Sequence, residues 1–232
     1  MATSVTTRSS NSTFASAVRI NGSLTSPLER RALRWMAERA PAWLTSDQLT
    51  LLGLGAQFAA GLFYALSGTH RRALLLVNAC IVLNWLGDSL DGTLARVRRQ
   101  QRPRYGFYVD HMVDLFGTLA LLGGLGLSTL VHPAVAAAML LAFLLLSGES
   151  FLATYTLGKF QLSQGLFGPT ELRLLLLAAN FALLRSPFAT IFGHRWLLFD
   201  LGGTIGAACM FLALLGITLR HTVQLSREEP LP

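Results

Sequence analysis

The chain has 232 residues, of which 52% are hydrophobic and only 13% are charged. Such a composition is rare among soluble proteins of this size and predicts an integral membrane protein. The formal net charge is +7. A nucleic-acid partner would require a basic face on a soluble domain. Because the sequence contains no such domain, we expect no nucleic-acid partner.

The chain begins with a polar region and a basic helix. Residues 1–23 are rich in Ser, Thr and Asn, which is typical of a flexible tail and not of a signal peptide. In residues 24–45, Ser26 and Pro27 suit a first helical turn, and Glu29 would complete a capping box. The apolar side of this helix carries Leu28, Ala32, Trp35 and Met36. Because arginines fill much of the rest, we predict an amphipathic helix on an anionic membrane face, with an ordinary surface helix as the alternative.

Six apolar segments follow, each close to the roughly 20 residues that a membrane helix needs. They run approximately over residues 49–67, 73–95, 107–127, 133–157, 169–185 and 199–219. The predicted fold class is therefore all-α: a polytopic membrane protein with six transmembrane helices preceded by the amphipathic helix. We assign residues 46–222 to one membrane domain and residues 223–232 to a C-terminal tail.

The orientation follows from arginine. Residues 96–104, between the second and third apolar segments, form the most basic loop of the chain. The positive-inside rule places this loop in the cytosol. Six spans then place both termini in the cytosol, in an inner or plasma membrane.

Four aspartates flank this loop: Asp88, Asp91, Asp110 and Asp114. On helices, each pair is one turn apart and faces one way. A carboxylate at a helix centre in a bilayer costs roughly 2.5–3.5 kcal/mol on insertion scales, so four of them together require a counter-charge. Oxygen ligands suit Mg²⁺, Mn²⁺ or Ca²⁺, and a pair of metal ions is a common device for phosphoryl transfer.

Small residues and one arginine complete the pattern. Gly92 and Gly106 would let a ligand approach the backbone, and Ala95 keeps the same face open. Arg96 offers a planar fork for a phosphate oxygen.

This pattern resembles the signature of the CDP-alcohol phosphotransferases, D-x2-D-G-x2-A-R, a spacer of about eight residues, then G-x3-D-x3-D. All eight fixed positions are present: Asp88, Asp91, Gly92, Ala95, Arg96, Gly106, Asp110 and Asp114. The spacer, residues 97–105, has nine residues here. With the six-helix plan, the resemblance extends over about residues 25–222.

The resemblance implies transfer of a phosphoalcohol unit from a CDP-linked donor to an acceptor hydroxyl with release of CMP, in phospholipid biosynthesis. It implies that the four aspartates bind Mg²⁺ or Mn²⁺, with two ions expected, and that Asp114 is the candidate base. Gly92, Ala95, Arg96 and Gly106 would then line the donor site. At least one substrate would be a lipid, and we also expect a homodimer.

Three smaller features extend this site. Asp47 and Thr50 resemble a short polar motif of the family and are predicted to contact the donor, with a helix cap at Ser46 or Asp47 as the alternative. Residues 168–171 resemble a segment of some choline and ethanolamine phosphotransferases, so Glu171 and Arg173 are candidates for the acceptor site. Glu149 is a carboxylate inside the fourth span; it is a further candidate for the acceptor site and is predicted to face the cavity or to pair with Arg96 or Arg173.

Two other functions remain open from the sequence. A cation transporter would use the aspartates as its ion path, but its carboxylates would be distributed through the depth of the membrane. A non-catalytic lipid-binding protein would bind the donor without forming CMP.

Overall fold

The structure, a computed structural model, describes residues 18–20, 26–161, 169–191 and 193–230. Seven α-helices form most of this part of the chain: α1 Ser26–Arg39, α2 Ser46–Ser67, α3 Ala73–Val97, α4 Pro103–Gly126, α5 Pro133–Leu157, α6 Pro169–Arg185 and α7 Leu198–Glu228. Four short strands accompany them: β1 Val18–Ile20, β2 Lys159–Gln161, β3 Phe188–Ile191 and β4 His194–Leu197. The all-α prediction is confirmed.

Each of the six predicted apolar segments lies in a helix, but they differ as membrane spans. Within the described residues, α2, α3, α5 and α7 are long and apolar enough to cross a membrane. Helix α4 combines its apolar residues with Arg104, Asp110 and Asp114, and α6 has only 17 residues. Several apolar helices therefore indicate an integral membrane protein, and the count of six spans stays a prediction.

Helix α1 packs against α3 through one stripe of its surface. Leu33 and Ala37 are buried in a cluster with Leu90 and Leu94 of α3. Leu33 and Ala37 are four residues apart and form one stripe, whereas Trp35 lies on the opposite side of the helix and is 57% exposed. The contact of the predicted apolar side with a membrane stays a prediction. The side chains of Ser26 and Leu28 lie outside the described residues.

Helix α2 lies between α3 and α4 in close contact with both. A Cβ added to Gly87 of α3 would lie 2.6 Å from the carbonyl oxygen of Leu49. A Cβ added to Gly124 of α4 would lie 1.9 Å from the carbonyl oxygen of Gly61. There is no room for a side chain at either position, so the glycines allow the backbones of α3 and α4 to approach that of α2 closely. Such contacts between small residues are typical of helix packing in membranes.

A buried polar chain connects α2, α3 and α6. The hydroxyl of Tyr64 donates to Oδ1 of Asn180 at 2.9 Å, and Nδ2 of Asn180 donates to Oδ1 of Asn78 at 2.8 Å. Apolar residues such as Leu74 and Leu183 are fully buried around it. Since polar groups away from water need partners, these bonds fix α6 against the other two helices.

The strands form two small pairs. β1 pairs with β2 in parallel, and β3 pairs with β4 in an antiparallel hairpin. β1 lies within residues 1–23, which the sequence predicts as a tail. Helix α7 continues to Glu228, where Nε2 of Gln224 donates to Oε1 of Glu228 at 2.8 Å, so residues 223–228 of the predicted C-terminal tail are helical. The domain boundaries themselves stay predictions.

Candidate active site

The start of α2 contributes two hydroxyls to the site. Its N-cap is Thr45, which forms a capping box with Gln48, and not Ser46 or Asp47 as the sequence alternative proposed. Because Thr45 caps the helix, Ser46 is left to donate to the backbone oxygen of Asp91 at 2.9 Å. Oγ1 of Thr50 donates to Oδ2 of Asp91 at 2.6 Å, which connects α2 to α3.

Three of the four predicted aspartates converge. Asp88 of α3 and Asp110 and Asp114 of α4 can each offer one carboxylate oxygen, and these oxygens all lie within 4.8 Å of one another. The short connection 98–102 joins α3 to α4, and both helices pack against α2, so that Asp88 near the end of α3 meets Asp110 and Asp114 in the first half of α4. We call these three residues the carboxylate trio.

Asp91 lies beside the trio and is held by α2. It is only 8% exposed. Besides the bond from Thr50, Oδ1 of Asp91 accepts a hydrogen bond from the backbone N–H of Gly92. The structure thus groups three predicted ligands and orients the fourth through a threonine hydroxyl.

Arg173 enters the site from α6. Its Nη2 lies 2.6 Å from Oδ2 of Asp88, and its Nε donates to Oδ1 of Asn84 at 3.1 Å. Nδ2 of Asn84 in turn donates to the carbonyl oxygen of Gly53 at 3.1 Å. Arg173 is therefore a counter-charge to the carboxylate trio. The side chain of Glu171 and all of Gly168 lie outside the described residues.

The other predicted donor residues surround the end of α3. Nη2 of Arg96 donates to Oγ1 of Thr93 at 2.9 Å, and a Cβ added to Gly92 would lie 3.4 Å from Nη1 of Arg96. Ala95 is partly buried. Gly106 lies one turn before Asp110, and a Cβ added there would meet no described atom within 4 Å.

Two acidic residues have partners outside the trio. Asp47 pairs with Arg102 of the connection between α3 and α4. Oε1 of Glu149 lies 2.6 Å from Nδ1 of His221, which joins α5 to α7. The predicted pairing of Glu149 with Arg96 or Arg173 is wrong because His221, on the helix packed against α5, takes that oxygen.

Sequence reasoning missed two residues that hold the site. Asn84, one turn before Asp88 in an otherwise apolar stretch, was a polar signal that could have been read. Glu29 was assigned to a cap, whereas its Oε1 accepts a hydrogen bond from Nε1 of Trp85 at 2.9 Å. Neither contact follows from local sequence.

The chemistry of the trio suits a hard divalent cation. Its donors are carboxylate oxygens only, and Mg²⁺ and Mn²⁺ prefer such ligands. Three carboxylates this close repel one another, and Arg173 supplies one positive charge against them. The residues present therefore fit a bound divalent ion.

Comparison with known proteins gives one family. The family model described as CDP-alcohol phosphatidyltransferase matches residues 43–219, which include every helix from α2 to α6 and most of α7. A search of curated proteins found no match.

Proposed function

The chain belongs to the CDP-alcohol phosphatidyltransferase family, and on that premise we propose that it moves a phosphatidyl or similar phosphoalcohol unit from a CDP-linked donor to an acceptor hydroxyl. CMP is released. The family implies transfer of a phosphoalcohol in phospholipid synthesis, so the chain is a membrane transferase. The single observation that supports our finer proposal is the carboxylate trio, with its oxygens within 4.8 Å of one another and Arg173 against Asp88.

The four aspartates are the proposed metal ligands. Asp88, Asp110 and Asp114 would hold Mg²⁺ or Mn²⁺ together with Asp91, and we propose two ions. When bound, such ions neutralise the diphosphate and steady the entering and leaving oxygens. The role of Thr50 is to orient the Asp91 carboxylate, since it donates to Oδ2 at 2.6 Å.

The proposed reaction is a displacement at the phosphorus that bears the alcohol. Asp114 accepts the proton of the acceptor hydroxyl, whose oxygen forms the new bond to phosphorus. The bond from this phosphorus to the bridging oxygen breaks, and that oxygen leaves with CMP. A metal-bound carboxylate is a weak base by itself, so closeness to the attacking oxygen has to supply much of the effect of Asp114.

The substrate contacts are proposed from the surroundings of the trio. Gly92, Ala95, Arg96 and Gly106 would line the donor site, with Arg96 on a phosphate oxygen. Asp47, which pairs with Arg102, would contact the donor together with them. For the acceptor we propose two residues of α6, Glu171 and Arg173.

Membrane placement and assembly are proposed separately. We propose six spans, with the active site and both termini in the cytosol; the arginines of the connection between α3 and α4 support this orientation. The exposed Trp35, with Arg39 stacked on its ring at 4.6 Å, supports contact of α1 with the membrane interface. We also propose a homodimer, which native mass spectrometry of the protein in nanodiscs would detect.

The test is CMP release by the purified protein in lipid nanodiscs with Mg²⁺ or Mn²⁺. The panel pairs CDP-diacylglycerol with polar alcohols, and CDP-linked polar alcohols with diglyceride. The wild type should release CMP with at least one pair, and Asp114→Asn should lower the rate by about 100-fold or more.

Asp200→Asn is the matched control. Asp200 lies at the start of α7, where its Oδ1 accepts from the backbone N–H of His132 at 2.6 Å, and an amide oxygen can accept the same bond. This variant should release CMP at the wild-type rate. No CMP from any pair, or full turnover by Asp114→Asn, would contradict the proposal.

A further inference from the structure

A glutamate on α1 contacts the site from outside the motif. Oε1 of Glu29 accepts hydrogen bonds from Nε1 of Trp85 at 2.9 Å and from Oγ of Ser89 at 3.4 Å. The same oxygen accepts from Oγ1 of Thr170 at 3.0 Å. Because an indole N–H can only donate, the carboxylate is the acceptor. One oxygen of α1 thus joins α3 to α6.

Two of these donors are neighbours of site residues. Ser89 follows Asp88 directly on α3. Thr170 lies three residues before Arg173 on α6, so the two side chains share one side of that helix. Since Arg173 contacts Asp88 at 2.6 Å, the bonds form a closed ring from α1 through α6 and α3 back to α1.

The packing of α1 turns Glu29 toward this ring. Glu29, Leu33 and Ala37 are spaced four residues apart and form one stripe of the helix. Leu33 and Ala37 are buried against α3, whereas Arg31 and Arg34 on other sides are exposed. A glutamate in a first helical turn is favourable without any partner. That general effect does not explain three donors converging on one oxygen.

We propose that Glu29 is a positioning residue of the active site. By holding Thr170 and Ser89, it keeps the start of α6 against α3 and so keeps Arg173 on Asp88. It touches neither the trio nor a substrate, and it acts through Arg173. The expected effect of Glu29 on turnover rests on the proposed function. Its expected effect on Mn²⁺ binding by the trio can be measured without turnover.

The first test compares single variants. Glu29→Ala should lower kcat for CMP release by about tenfold, in the range typical of residues that orient a metal site, while KM for the donor stays within about twofold. Glu29→Gln should restore most of kcat, because its Oε1 can accept the same bonds. Glu38→Ala is the control on the same helix, where Glu38 is exposed beside Arg34, and it should match the wild type.

The second test asks whether Glu29 acts through Arg173. In an Arg173→Gln background, Glu29→Ala should have no further effect on kcat, because coupled residues are not additive. The same cycle is measured on the dissociation constant of Mn²⁺ by electron paramagnetic resonance, which needs no turnover. Full additivity in both measurements, or a Glu29→Ala protein equal to Glu38→Ala, would overturn the proposal.

If the Glu29→Ala protein does not fold, a third variant tests the same contact. Thr170→Val removes one donor and keeps the size of the side chain, and it should lower kcat and shift Mn²⁺ binding in the same direction as Arg173→Gln. Unchanged values would overturn the inference. If the wild type releases no CMP from any donor, the proposed function fails, and the Mn²⁺ cycle still decides the role of Glu29.

Discussion

Arg173 on α6 and Asp88 on α3 form an ion pair at 2.6 Å although 85 residues separate them in the chain. The two side chains are only 16% and 26% exposed. A pair shielded in this way depends on both partners, because the loss of one leaves the other charge poorly solvated. Because Asp88 also lies close to Asp110 and Asp114, the guanidinium of Arg173 offsets part of the repulsion within the trio.

Arg173→Gln should separate catalysis from metal binding. Turnover should fall about 10- to 100-fold, as for residues that orient metal ligands. Mn²⁺ should bind more tightly, because a positive charge beside its ligands is removed. Steady-state CMP release and Mn²⁺ titration measure the two effects. Arg185→Gln, at the exposed end of α6, is the control, and weaker Mn²⁺ binding by Arg173→Gln would refute the counter-charge role.

Removal of divalent ions should abolish CMP release and lower the melting temperature. An ion at 100 times its Kd stabilises the folded state by about 2.7 kcal/mol, and it also relieves the repulsion within the trio. The melting temperature is followed with chelator and after addition of Mg²⁺ or Mn²⁺. The double variant Asp110→Asn with Asp114→Asn should lose this response, and retention of the full response would place the ion elsewhere.

Thr50→Val should impair the site without unfolding it. Valine has the shape of threonine but cannot donate to Asp91, so the carboxylate loses the bond that orients it. We expect about a tenfold loss of turnover and a loss of stability of about 1 kcal/mol. Thr50→Ser should keep the activity. Thr69→Val is the control: it removes a hydrogen bond to the backbone just after the end of α2, and it should leave turnover unchanged. Equal effects of the two valine variants on turnover would contradict the role of Thr50.

Gly106→Ala should lower activity and leave stability intact. The added Cβ meets no described atom within 4 Å, and alanine favours the helix over glycine by up to about 1 kcal/mol. A ligand that approaches this backbone would be displaced, so KM for the donor should rise. Gly55→Ala, in similarly open space on α2, should change neither KM nor kcat. An unchanged KM in Gly106→Ala would remove Gly106 from the donor site.

Gly124→Ala, in contrast, should lower the stability of the protein. Its Cβ would lie 1.9 Å from the carbonyl oxygen of Gly61, so α2 and α4 must move apart. We expect a loss of about 1–3 kcal/mol, typical of overpacking, measured as thermal stability in detergent. The neighbouring Gly123→Ala meets no described atom within 4 Å and should be neutral. Equal stability of both variants would show that α2 and α4 are not in close contact there.

Local chemistry explains why the helices were predictable from the sequence. Each apolar segment forms its hydrogen bonds within itself, so its limits follow from its own residues. Helical spacing likewise predicted that Asp88, Asp91, Asp110 and Asp114 share one cavity; three of their carboxylates lie within 4.8 Å of one another, and only the contact with Thr50 shows how Asp91 is held. The cap of α2 was mispredicted because Thr45, Ser46 and Asp47 are all good caps, and only the contacts of Ser46 and Thr50 with Asp91 select Thr45.

The sequence by itself therefore determined the all-helical class, the family signature and the residues that carry charge. The tertiary structure decided which polar side chains meet: Arg173 with Asp88, Glu29 with Thr170, and Glu149 with His221. These pairs span 72 to 141 residues of chain. Whether they meet depends on the distance between neighbouring helices. Glycine contacts such as Gly61 with Gly124 set this distance because they allow the two backbones to touch.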